Sequence, residues 1–148
     1  MLKTEFISVG SDLNLAIEIA CELTAKIYLK EDNYIFTKWI DLKCNTLEQA
    51  EQLDEEMWKR PANTLLPHQL IHTGDSMIKI NIGYPGTRFS NDEDRSLINL
   101  SPDFPLDIKH YNCYYQMVIE DDSLLREKAA KTWSQSKQEG LEPEFKKW

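Results

Sequence analysis

The residues of this 148-residue chain that could do chemistry are few and poorly spaced for it. His68 and His72 stand four apart, the spacing of a helical metal pair, but Pro67 and Gly74 flank them and no third ligand is near. The paired carboxylates Glu55-Glu56 and Asp121-Asp122 fall at helix ends or on exposed faces, where solvated charge accounts for them. Cys21, Cys44 and Cys113 are odd in number and lack C-x-x-C spacing, which suits three ordinary thiols in a reducing cytoplasm. Neither G-x-x-x-x-G-K-[ST], G-x-G-x-x-G nor G-x-S-x-G occurs. A lone Gly10 before Ser11 is too little for a nucleotide turn, so no cofactor or metal is expected.

The elements that would position these residues follow from periodicity. FISV reads as a first strand. In residues 13–29, Leu15, Ile19, Leu23 and Ile27 make one helical stripe, with Ala16 and Ala20 beside it. Residues 34–44, rich in β-branched and aromatic side chains, read as one or two strands. Asn45 or Thr46 then caps a helix running to about Trp58, with Leu47, Ala50, Leu53 and Met57 as its apolar stripe. Residues 77–82, 96–100 and QMVI read as strands, 106–114 is ambiguous, and 122–138 is a last helix. Alternating strands and helices with no linker or repeat predict one α/β domain over 1–148 with a largely parallel sheet.

Charge and hydropathy narrow the function. No apolar run reaches the roughly 18 residues of a membrane span, and MLKTEFISVG lacks a signal-peptide pattern, so a cytoplasmic protein is expected. The net charge is −8, which opposes direct binding to nucleic acid. It is unevenly spread: Arg126, Lys128, Lys131, Lys137, Lys146 and Lys147 outnumber the glutamates of residues 124–148, so the acidic excess lies in the rest of the chain. The basic tail is either a solvated helix face or a local site for an anionic partner.

Two surfaces have the makeup of interaction sites. In LDEEMWKRPANTLLPHQL, residues 53–70, Trp58 lies roughly 85° from the centre of the helix stripe and belongs at the edge of the core. Pro61 and Pro67 hold the next segment extended, carrying Leu65 and Leu66 near Trp58. A Trp beside a stiff apolar loop suits an interface anchor; the alternative is a Trp folded back over the core edge. In the last helix, Arg126, Ala130, Trp133 and Lys137 share one stripe, while Leu125, Ala129, Thr132 and Ser136 form the core-facing one. An aromatic between cations suits a ligand with a terminal aromatic, a free carboxylate and nearby aspartates; the alternative is a core Trp packed by Ala129 and Ala130.

The same residues resemble a known family, the chi subunit of bacterial DNA polymerase III. The resemblance lies in the helix ending L-D-E-x-x-W at 53–58, then R-P at 60–61, then an apolar pair followed by Pro67-His68. An A-C-E-L first helix, a strand ending near Cys44, Tyr84-Pro85, Leu97-Ile98-Asn99-Leu100 and the Asp122-Ser123-Leu124 helix start fall in the family's order, over essentially the whole chain. The resemblance implies a non-catalytic, Rossmann-like three-layer module of the clamp loader without a nucleotide site. It implies two partners, the psi subunit and the acidic, Phe-ending tail of single-stranded-DNA-binding protein, and allows an accessory helicase at the psi-facing surface. Trp58, Arg60, Pro61 and Leu65, with Leu66 beside them, would form that surface; Leu65 stands where the family often has an aromatic. Trp133 and Lys137 would take the tail's aromatic and carboxylate. Ala130 and Ser134 depart from the family's basic residues, which leaves Arg126, Lys128 and Lys131 to compensate. The rival reading is a Rossmann-like nucleotide binder or enzyme with a degenerate phosphate loop; heat on nucleotide titration would favour it.

The charge distribution carries its own test. The purified protein should not bind single-stranded DNA with sub-micromolar affinity at physiological salt, measured by fluorescence anisotropy.

Overall fold

The computed structural model describes residues 2–62, 64–105, 107–120 and 123–148. Its elements run β1 (Lys3–Ser8), α1 (Leu13–Tyr28), β2 (Trp39–Lys43), α2 (Leu47–Met57), β3 (His68–Leu70), β4 (Ile80–Gly83), β5 (Arg95–Asn99), β6 (Cys113–Val118), α3 (Ser123–Gln138) and β7 (Pro143–Lys147). The strands form one seven-stranded sheet in the order β3-β4-β2-β5-β6-β1-β7, with every neighbouring pair parallel. This is the α/β, Rossmann-like arrangement expected from the sequence.

Successive strand residues point to opposite faces and so build two cores. Ile7, Ile40, Leu42, Ile80, Ile82, Ile98, Tyr115 and Met117 pack on one face with α1 and α2. Phe6, Leu97, Tyr114 and Val118 pack on the other with Ile108, Tyr111 and the Ala129 and Trp133 of α3. A parallel sheet covered on both faces needs near-continuous apolar strands, and the central strands β5 and β6 are buried along their whole length.

Both N-terminal helices are capped by side chains. Asp12 accepts from the Asn14 N–H at 2.8 Å, and Thr46 accepts from the Gln49 N–H at 3.0 Å. Gln49 reciprocates by accepting from the Asn45 N–H at 2.7 Å. The helix stripes are rotated from those expected. In α1 the buried arc includes Ala16, Ile17, Ile19, Ala20, Leu23 and Ile27, and Leu15 lies 39% exposed. On a helical wheel Leu15 stands about 130° from the centre of that arc. In α2 the arc is Gln49, Ala50, Leu53 and Met57, and Leu47 is exposed. Gln49 takes an inner place because it is bound by the cap.

Strands β3 and β7 were not expected. Both are sheet edges, whose outer flank needs no apolar pattern, and β7 is mostly charged. Residues 34–38 precede β2 rather than extending it. There the Thr37 hydroxyl lies 2.8 Å from that of Ser96 and turns the chain onto the sheet.

A buried polar cluster ties the middle of the sheet. Arg95 on β5 donates through Nε and Nη2 to the two carboxylate oxygens of Asp41 on β2, each at 2.9 Å. The Tyr111 hydroxyl donates to the same carboxylate at 2.8 Å. All three side chains are buried on the α3 face. Burial pushes the Asp41 carboxyl up, and the Arg95 guanidinium opposes that shift.

Removing one partner leaves the other charged and buried. Arg95→Met should therefore cost roughly 3–5 kcal/mol of folding stability, read from chemical denaturation. Tyr111→Phe, which removes a single hydrogen bond to the carboxylate, should cost roughly 1.5–3 kcal/mol.

Candidate functional site

The first candidate surface sits where α2 ends. Trp58 follows the last helical residue, is 51% exposed, and lays its ring on His68 with centroids 4.1 Å apart. His68 opens β3 and is itself buried. Its Nδ1 lies 2.7 Å from the Leu66 carbonyl oxygen and its Nε2 lies 2.9 Å from that of Asp54. Seated between these two carbonyls, the imidazole forms a shelf for the indole. His68 is thus a structural link between α2 and β3. His72, four residues further on, meets the Tyr84 hydroxyl at 2.9 Å.

Arg60 is held beside this shelf. Its Nη2 lies 3.1 Å from Glu18 on α1 and its Nε lies 3.2 Å from Glu56. These are partly exposed pairs, so their value is in aiming the guanidinium rather than in stability. Pro61 is half-buried behind it.

The Leu65-Leu66 pair divides. Leu65 is 73% exposed, whereas Leu66 is 0% exposed and belongs to the core under α1 and α2. Past the turn in which the Thr64 N–H donates to the Pro61 carbonyl at 3.1 Å, Leu65 and Leu66 run into β3 with their side chains on opposite sides. Leu66, expected at the interface, is therefore corrected to a core residue that holds Leu65 out. Of the other four residues, Trp58 and Leu65 are exposed and Arg60 and Pro61 half-buried.

The second surface is α3. Its core-facing stripe is as expected: Thr132 and Ser136 are buried, and Leu125 and Ala129 are half-buried. Thr132 donates to the Pro102 carbonyl at 2.7 Å and so anchors the helix to the β5–β6 connection. Trp133 stands between the two roles considered for it. Its ring meets Phe6 edge-on at 5.1 Å within the second core, yet the residue stays half-buried. The Lys137 Nζ lies 5.4 Å from the Trp133 ring centroid. Arg126 and Lys131 are exposed and Lys128 half-buried; the Arg126 side chain donates to the Glu120 carbonyl at the end of β6. Asp122, at the expected start of this helix, lies outside the described residues.

The sequence reading missed a cleft beside this helix. A cavity of about 190 Å³ opens at the C-terminal edge of the sheet. Leu100, Pro102, Val118, Ile119, Leu125 and Ala129 supply its apolar wall, with Asn45, Thr46 and Gln49 at one side. It is assembled from β5, β6, α2 and α3, which only the topology brings together. The one hint in the sequence was a parallel sheet, whose ligand crevices form beyond the strand C-termini.

Among the described residues, no cysteine has the lowered pKa of an activated nucleophile. All three cysteines are free and buried. Burial pushes the Cys21 and Cys44 thiols up to about 12, with Glu56 adding to the shift at Cys21. Among the described residues no group of three or more His, Cys, Asp or Glu could hold a metal ion, and no helix is long and apolar enough to cross a membrane.

The fold and surfaces thus define a parallel α/β module with exposed aromatic and basic patches on its helices. The chain belongs to the DNA polymerase III chi subunit (HolC) family, whose model matches residues 1–144. It is 29% identical over 145 residues to the DNA polymerase III subunit chi of Haemophilus influenzae, covering 95% of this chain and 94% of that one. It is 30% identical over 93 residues to the Escherichia coli DNA polymerase III subunit chi, 62% of this chain and 58% of that one.

The divided leucine pair gives a direct test. Leu66→Ala should lower stability by roughly 2–5 kcal/mol. Leu65→Ala should stay within about 0.5 kcal/mol of the parent. Paired thermal or urea melts measure both. A second expectation concerns the thiols: the native protein at neutral pH should resist a thiol-specific reagent at Cys21 and Cys44 and become reactive on unfolding.

Proposed function

We propose that this chain is a non-catalytic accessory subunit of the DNA polymerase III clamp loader, working in the cytoplasm. It joins the psi subunit to the acidic, Phe-ending tail of single-stranded-DNA-binding protein. The shelf of Trp58, Arg60, Pro61 and Leu65 is the psi-facing surface, and an accessory helicase uses the same surface in exchange. The basic side chains of α3, with Trp133, receive the tail.

The observation that carries this reading is the placement of the two surfaces. The Trp58 shelf lies with α1 and α2 on one face of the sheet, and Trp133 lies with α3 on the other. Both partners can then be held at once, and avidity follows from two modest contacts on one rigid body. On α3, Lys137 beside the Trp133 ring pairs a cation with an aromatic edge, which suits a ligand bearing a terminal ring and carboxylate. The buried, protonated thiols agree with a subunit that does no covalent chemistry.

Pull-downs and peptide titrations test the two surfaces separately. Trp58→Ala should abolish capture of psi, or of the helicase, while a melting curve shows the fold intact. Partner binding that survives alongside a large fall in Tm would place Trp58 in the core instead. A peptide of several aspartates ending in Phe should quench tryptophan fluorescence and lose affinity as salt rises. Lys137→Ala should weaken it only a few-fold, since an exposed charge pair is worth roughly 0.2–1 kcal/mol. Trp133→Ala, and loss of the peptide's Phe, should cost about 2 kcal/mol or more. Affinity that ignored the Phe and followed net charge alone would reduce α3 to a generic basic surface.

A further inference from the structure

His68 presents both of its ring nitrogens to oxygen acceptors. Nδ1 lies 2.7 Å from the Leu66 carbonyl, and Nε2 lies 2.9 Å from the Asp54 carbonyl and 3.3 Å from the Asp54 carboxylate. A neutral imidazole has one N–H and one bare lone pair. Either neutral tautomer therefore sets a nitrogen lone pair against a carbonyl oxygen at hydrogen-bond distance, in a residue that is only 5% exposed. The imidazolium, with two N–H groups, satisfies both contacts. Three further features favour the cation. The Trp58 N–H donates to the Glu55 carbonyl at 3.3 Å rather than to that of Asp54, so His68 meets a carbonyl left over at the end of α2. Positive charge is favoured there by the helix dipole. The Asp54 carboxylate is, among the described residues, the one charged partner within ion-pair distance, and β4 offers the apolar Ile80 as register neighbour. The imidazole also meets the Trp58 indole, with centroids 4.1 Å apart and planes at 44°, and an indole attracts a cation.

We infer that His68 is an imidazolium in the folded protein, and that its charge makes it the positioning residue for Trp58. A lone buried cation is costly; this one is met by two carbonyls, a carboxylate, a helix end and an aromatic ring. Loss of the proton turns one nitrogen–oxygen contact repulsive and takes the cation from beneath the indole, so Trp58 loses its fixed seat. The direction with pH follows. The unfolded histidine gives up its proton near pH ~6.5, whereas the folded one keeps it. The stability drawn from this contact is therefore full below that pH and is lost as the pH rises past the point where the folded protein releases the proton. His68 is buried and acts on a partner only through Trp58, so its bearing on binding rests on the psi-facing reading of this surface.

Nitrogen NMR of the full chain, with histidine signals assigned through the backbone, tests the charge with no partner present. At neutral pH His68 should show the two nearly equal ring-nitrogen shifts of an imidazolium, not the widely split pair of a neutral ring. As the pH is raised the pair should split. Tryptophan emission should rise over the same range, because an imidazolium quenches an indole it touches, and Trp58→Phe should abolish that rise. Asp54→Asn keeps the backbone carbonyl but removes the countercharge, so its pair should split at a lower pH than in the parent. Capture of psi by the parent should weaken over the range in which the parent's pair splits. A split pair for His68 at neutral pH, or emission indifferent to the splitting, would overturn the inference. Capture that stays constant through the splitting would overturn the positioning role. Absence of capture at every pH would count against psi as the partner, and the spectra alone would then decide the inference.

Discussion

Every strand pairing among the described residues is parallel, and that constraint shapes the rest. Parallel strands need crossover connections, and the crossovers must cover both faces of the sheet with apolar surface. With three α-helices for seven strands among the described residues, cover is concentrated on the middle. β5 and β6 are buried throughout, and the Asp41–Arg95–Tyr111 cluster can exist there because water is excluded. The helices run out toward the edges. The exposed chemistry of the protein lies at those margins: the shelf at the end of α2 beside β3, and the outer flank of β7 beyond α3.

That arrangement explains which parts of the sequence were legible. α1, α2, the central strands and the core stripe of α3 follow directly from apolar periodicity, because two-sided burial leaves a strong pattern. The edges leave a weak one. HQL at 68–70 carries two polar residues, and PEFKK at 143–147 is mostly charged, so neither looks like a strand until a neighbour supplies its hydrogen bonds. Helix rotation was misjudged for a related reason: Leu15 and Leu47 are apolar but stand at the margin of their helices' buried arcs, in first turns.

The candidate surfaces were partly legible. Trp58 was separable from the α2 stripe by angle alone, and it is half exposed as that angle requires. Its support on His68 was not visible, since the contact depends on β3 returning beside α2. Trp133 could not be assigned from spacing, because a stripe says which residues share a face and not what that face meets. Phe6, more than a hundred residues earlier in the chain, decides how much of its ring is free. The cleft at the strand ends was invisible for the same reason, being made of four elements that only the sheet order assembles.

The opposite fates of Leu65 and Leu66 have a consequence for how such a surface can change over time. Two chemically identical side chains, one peptide bond apart, answer to different constraints. Position 65 is free to explore size and shape against whatever docks there, and position 66 is fixed by the packing beneath it. Because Leu65 and Leu66 lie on the short run into β3 with their side chains on opposite sides, that run tolerates substitution at position 65 far better than it tolerates a change in length. A single residue inserted between Leu66 and β3 would exchange the inward and outward positions, so partner preference and foldability would be altered together by one event.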